Sequence, residues 1–244
     1  MEDLNQDIYQ LAESVLATAG ELITHDLNRG SAGNVSVRHA DGFIITPTGI
    51  ENKDCTSEDM VKVLLGDPKV VQSKQRSGVD GTACAQNSPL NRRKPSSEWR
   101  FHHDIYAAFP AAGAIIHAHS PFATALACQQ QGIPPFHYMI ARFGGADVRC
   151  AGYATFGTQA LSDAMLIALQ DRNACLMAHH GMVVYGRNLT HALALAVELE
   201  TLCEQYWRVL QLGEPKLLTA AQMEEVTAKF AGYGQQDGDS KVDA

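Results

Sequence analysis

A chain of 244 residues, 45% apolar and 19% charged, is long enough for one substantial core and short for two. Its formal net charge of −8, without a long Lys/Arg run, argues against the basic face that nucleic-acid binding needs. No apolar run reaches the ~18 residues of a membrane span, the acidic start Met1-Glu2-Asp3 is unlike a signal peptide, and the six scattered cysteines contain no Cys-x-x-Cys pair, so a cytoplasmic protein without a disulfide framework or a cysteine-rich metal site is expected.

Leu4, Ile8, Leu11, Val15, Ala19 and Leu22 recur at helical spacing and predict an amphipathic helix over 4–27, stopped at Asn28-Arg29-Gly30. Asn34–Arg38 alternates with period two, His39–Gly42 is a turn, and Phe43–Thr46 is a second strand; together they predict a β-hairpin. Residues 72–94, rich in Gln, Ser, Asn, Gly and Arg, read as a long, mobile surface loop. Pro95-Ser96-Ser97-Glu98 opens a helix running to Phe109, with Ser at the N-cap and an acid in the first turn. Gly113–His119 reads as a buried strand, Pro121 starts a helix ending near Gln131-Gly132, and 158–170 forms another. Ala174–Ala178 and Met182–Tyr185 are strands flanking His179-His180-Gly181, and a long helix covers 190–212. Thr219-x-x-Gln222 is a capping box for a last helix ending near Phe230. This order predicts one α/β domain over 1–233, a largely antiparallel central sheet flanked by helices. It carries a flexible insertion at about 72–94 and a polar, frayed tail, 234–244.

His117 and His119 stand two apart on a strand, so their imidazoles leave one face together while Ala118 points the other way. Two converging imidazoles make a metal grip; the ordinary alternative is a pair of hydrogen-bonded core histidines. His180 sits in a sharp break beside Gly181, where a third ligand can be presented, with His179 as its rival. Glu98 offers a fourth. Three histidines and a carboxylate suit zinc better than magnesium or calcium, and a carboxylate can also move a proton. None of these segments contains a lysine placed for Schiff-base chemistry; Lys94 lies in a polar, basic loop.

Gly33-Asn34-Val35-Ser36, Thr46-Pro-Thr-Gly49, Pro95-Ser-Ser-Glu98, His117-Ala-His119, His137-Tyr-Met139, Tyr153–Thr158 and His179-His-Gly181 occur in the order seen in the class II aldolase/adducin family. The chain resembles that family over most of 4–233, above all its branch acting on fuculose 1-phosphate-like ketose 1-phosphates; the segment from about 70 to 93 looks longer than its counterpart. The resemblance implies a three-layer fold and a zinc held by His117, His119 and His180, with Glu98 as fourth ligand and catalytic acid/base. It implies catalysis by Tyr138 and a phosphate pocket of Gly33, Asn34, Thr48, Gly49, Ser96 and Ser97. Tyr233 is a candidate cover over the site. A homotetramer is implied too, with active sites between subunits and Tyr138 serving a neighbour's metal. The implied reaction is reversible cleavage of a sugar phosphate to dihydroxyacetone phosphate and a short aldehyde, with no nucleic-acid or membrane partner.

Within the same family, a pentulose-phosphate 4-epimerase typically carries Asp where Glu98 stands. A methylthioribulose-1-phosphate dehydratase would keep the histidines and the pocket. A non-catalytic, adducin-like module would lack the full metal set. The end of the 72–94 segment, just before Ser96, also makes Arg92 or Arg93 candidates for attracting an anionic substrate.

Overall fold

Alternation along two strands decides how the sheet is clothed. In the computed structural model, which describes residues 2–66, 90 and 92–230 (side chains from residue 7 onward), the elements run in chain order. They are α1 (Glu2–Thr24), β1 (Asn34–His39), β2 (Gly42–Ile45), β3 (Val61–Leu64), α2 (Trp99–Ala108), β4 (Ala114–Ala118), α3 (Pro121–Cys128) and β5 (Arg149–Ala151). Then follow α4 (Gln159–Ala168), β6 (Ala174–Met177), β7 (Gly181–Gly186), α5 (Leu189–Leu212) and α6 (Ala220–Phe230). Most of the expected insertion, together with Tyr233 and the 234–244 tail, lies outside the described residues. Among the described residues no helix is long and apolar enough to cross a membrane.

The strands form one sheet in the order β3-β2-β1-β4-β7-β6-β5, antiparallel at every pairing except β5 with β6. Val35 and Val37 of β1, with Ala114, Ile116 and Ala118 of β4, face a core shared with α1, α3 and α5. Ile115, on the other face, joins a second core built from Trp99, Phe101, Ile105 and Tyr106 of α2 and Leu161 and Met165 of α4. Each fully buried side chain of this size contributes about 1.5–3 kcal/mol. The result is helices, sheet, helices, as expected from the pattern.

Asn34 pairs with His117, and Ser36 with Ile115. Directly paired residues share a face, so Asn34, Ser36 and His117 all look toward α2.

The expected Ser N-cap for α2 is corrected by the structure. The helix begins at Trp99 with Glu98 at the N-cap position, and Glu98 makes no side-chain cap bond. The cause is a tie to the preceding loop. Ser96 N–H donates to Thr46 O (3.0 Å), Thr48 N–H donates to Lys94 O (3.1 Å), and Pro47 bridges Pro95. These bonds hold 94–96 extended, and Ser96 Oγ accepts from the Glu98 N–H at 3.3 Å instead.

Candidate metal centre

Four donors arrive from three places: Glu98 from the start of α2, His117 and His119 from the end of β4, and His180 from the β6–β7 turn. His117 is the fourth residue of β4, and His119 lies just past its end, its backbone N–H donating to Asn28 Oδ1 at 2.9 Å. His180 sits in the β6–β7 turn, where His179 takes a left-handed φ of 57°. Gly181 lets this turn close on β4, since a Cβ there would lie 2.4 Å from Ala118 O. Gly33 does the same for the loop before β1: its φ is +73°, and a Cβ would lie 2.6 Å from His117 O.

The ligand atoms of Glu98, His117, His119 and His180 all lie within 4.8 Å of one another, a set that could hold a metal ion. His117 Nε2 is 2.9 Å from His119 Nε2 and 3.2 Å from Glu98 Oε2; His180 Nε2 is 3.1 Å from Glu98 Oε1. Three observations fit a metal. His117 donates its Nδ1–H to Met182 O (2.8 Å), which fixes the tautomer and turns the Nε2 lone pair toward the other donors. Two Nε2 atoms at 2.9 Å cannot both carry a proton between them. Glu98 Oε1 is buried, and its 3.1 Å approach to His180 Nε2 lacks hydrogen-bond geometry.

Burial works against a charged Glu98, yet His117 and His180 outweigh it and hold the carboxyl far below the usual range. Burial likewise opposes a proton on His117, and Glu98 raises its pKa nonetheless. Desolvation and then the charges of His117 and His180 lower His119 to about 4. The cluster therefore favours an ionised carboxylate at Glu98 and a neutral imidazole at His119, both of which ligation demands, while a bound ion would have to displace the proton that Glu98 favours on His117.

A cleft of about 370 Å³ opens onto this cluster. It is lined by Glu98, His119 and His180 and by all six residues expected to hold phosphate: Gly33, Asn34, Thr48, Gly49, Ser96 and Ser97. Asn34 is buried, and its Nδ2 donates to Ser96 Oγ (3.1 Å) and Glu98 Oε2 (3.0 Å). Among the described residues no lysine lines the cleft, and Glu98 is its one carboxylate.

Tyr138 is not in this cleft. It begins a 3-10 turn, Tyr138–Phe143, because His137 Nδ1 accepts from the Met139 N–H and starts the turn. The ring is half-exposed, stacks on Phe230 (6.4 Å between centroids) and lines a second cleft of about 760 Å³. Arg92 and Arg93 pair with Glu58 and Asp59 on the turn Ser57–Asp59, and neither lines the Glu98 cleft.

Two contributors escape a motif reading. Asn28 appears only as a helix stop, although its side chain braces His119 and abuts Gly33. His102 lies one helical turn after Glu98, a spacing that places both on one side of α2; its ring is fully buried and neutral, lowered to about 3 by desolvation and then by His117.

Comparison with known proteins gives a consistent picture. A family model described as the class II aldolase and adducin N-terminal domain matches residues 13–207. A Rhodospirillum rubrum protein named 5-methylthioribulose-1-phosphate/5-deoxyribulose-1-phosphate aldolase is 46% identical over 224 residues, covering 92% of each chain. L-fuculose phosphate aldolase of Escherichia coli is 39% identical over 226 residues, covering 92% of this chain and 96% of its own. A solved structure of an L-fuculose 1-phosphate aldolase superimposes with a TM-score of 0.80 at 32% identity, covering 91% of this chain and 96% of the other.

Proposed function

Because the chain belongs to the class II aldolase and adducin family, we propose that it reversibly cleaves a ketose 1-phosphate to dihydroxyacetone phosphate and a short aldehyde, with zinc held by Glu98, His117, His119 and His180. Its relatives are aldehyde-lyases. The observation that carries the reading is one cleft joining a three-histidine, one-carboxylate cluster to a Gly/Ser/Thr pocket.

The phosphate is held by Gly33, Asn34, Thr48, Gly49, Ser96 and Ser97 through backbone N–H groups and hydroxyls, helped by the N-terminus of α2. That anchorage directs C2 and C3 of the sugar toward Glu98. Breaking C3–C4 leaves an electron pair at C3, and the C4 hydroxyl gives up its proton to become the aldehyde. Zinc, when bound, supplies a Lewis acid that stabilises negative charge on the C2 oxygen. Glu98, ionised at rest, takes up a proton in exchange for the one lost at C4 and delivers it to C3, so no net proton is gained or lost. Tyr138 of a neighbouring subunit carries the C4 proton, within a homotetramer. Its half-exposed ring is available to such a neighbour.

The relatives' names point to sugars such as 5-methylthioribulose 1-phosphate, 5-deoxyribulose 1-phosphate and L-fuculose phosphate. The cleft wall presents exposed Tyr153 and Phe156, which suit an apolar end on the aldehyde half. We therefore place the two ribulose phosphates first. Zinc-loaded protein offered each sugar should release dihydroxyacetone phosphate, with kcat/KM at least about tenfold higher for the ribulose phosphates than for fuculose 1-phosphate. Release from none of the three would end the aldolase reading; water loss, or a C4 epimer, would put the dehydratase or epimerase in its place.

The role of Tyr138 has its own test. Tyr138→Phe should give a folded, zinc-loaded chain with impaired cleavage. Co-expressed Tyr138→Phe and Glu98→Gln chains should recover more activity than either has alone, because some mixed sites then pair an intact Glu98 with a neighbour's intact Tyr138. Absence of recovery overturns the intersubunit role.

A further inference from the structure

Behind Glu98 runs a buried line of hydrogen bonds on which the proposed chemistry makes no direct demand. Tyr106 Oη lies 2.9 Å from Ser36 Oγ, Ser36 Oγ lies 2.7 Å from His102 Nδ1, and His102 Nε2 meets Asn34 Oδ1. Asn34 Nδ2 then reaches Ser96 Oγ and Glu98 Oε2. Asn34, Ser36, Tyr106 and His102 are all buried, so water does not substitute for any of these partners.

We propose that His102 is a positioning residue that sets the orientation of the Asn34 amide, and through it the placement of Glu98 and Ser96. The inference rests on the aldolase reading only for its kinetic consequence. An amide is nearly symmetric in shape, so packing alone does not tell Asn34 which end to turn toward the carboxylate. The wrong end sets a carbonyl oxygen against Glu98. Polarity along the line decides. Asn34 Oδ1 can only accept, so His102 Nε2 carries the proton. The neutral ring then accepts at Nδ1 from the Ser36 hydroxyl, and Tyr106 donates to Ser36. Every donor in the line has one acceptor, and the NH2 of Asn34 is left facing Glu98 and Ser96. The same residue thus orders the proposed proton carrier and one wall of the phosphate pocket.

The test has an arm that needs no activity. In protein labelled with 15N at histidine, His102 should show a proton on Nε2 and none on Nδ1, unchanged from pH 5 to pH 8. A proton on Nδ1 instead overturns the inference. The second arm is kinetic. His102→Leu, which has no donor, should keep stoichiometric zinc and lose about tenfold to a hundredfold in kcat/KM, the scale of one hydrogen bond to a charged group. His102→Gln, whose amide can still donate to Asn34, should recover most of that loss. In an Asn34→Ala background, His102→Leu should cost nothing further. Wild-type kinetics in His102→Leu, or an undiminished loss in the Asn34→Ala background, overturns the positioning role. A wild-type protein inactive on every ketose 1-phosphate sinks the aldolase reading alone, and the tautomer measurement still decides for or against His102.

Discussion

Glu98→Gln is expected to lose at least about two orders of magnitude in turnover while retaining zinc, the scale of losing a general base. Glu98 is the one carboxylate among the described residues that line the cleft, so no neighbour there replaces it. The substitution keeps the shape and removes the charge and the proton-accepting oxygen. It also puts a second amide opposite Asn34, and the new side chain must turn its oxygen to the Asn34 N–H to avoid setting two donors face to face. Three imidazoles remain for the metal. Steady-state release of dihydroxyacetone phosphate, read beside elemental analysis, separates a proton-transfer defect from metal loss. Normal turnover in the variant would remove Glu98 from the chemistry.

The second large effect distinguishes two adjacent histidines. His180→Ala should weaken zinc by more than the ~10–100-fold typical of losing an outer partner of a ligand, and activity should fall with it. His179→Ala should leave zinc in place. The His180 ring lies 4.8 Å and 4.9 Å, centroid to centroid, from those of His117 and His119. His179 instead approaches Gln130 Nε2 at 3.2 Å and packs edge-on against Tyr153. The left-handed backbone at His179 divides the pair, sending consecutive side chains to different neighbours. A chelator should abolish activity in the wild type and added zinc restore it. Zinc lost from His179→Ala and kept by His180→Ala would reverse the assignment.

Much of this is legible in the amino-acid sequence. The alternation at 34–38 and 43–46 specified a hairpin, and the observed register of Ser36 with Ile45 is that hairpin. His117-Ala-His119 declared a shared face because a strand leaves it no other option. What escaped is of two kinds. β5 spans three residues, too short for a period to emerge, and β3 is separated from its partner β2 by a loop instead of a tight hairpin turn that would announce it. The start of α2 and the roles of Asn28 and His102 depend on partners distant in sequence. Thr46 O delays the helix, and Asn34 gives His102 its task across 68 positions. Local propensity contains no information about such partners.

The placement of the ligands also bears on the order of events in making the enzyme. β4 is paired on both sides, by β1 and β7, and His117 is inside that ladder with its ring braced by Met182. Backbone amides in a strand so enclosed exchange with solvent mainly through global opening. The cavity is consequently a product of folding, assembled by hydrogen bonds and apolar packing between protein groups. An ion bound by these donors would lie against the cleft on which His119 and His180 open. Which divalent ion such a site takes would be set by the supply of metals as much as by the donors themselves.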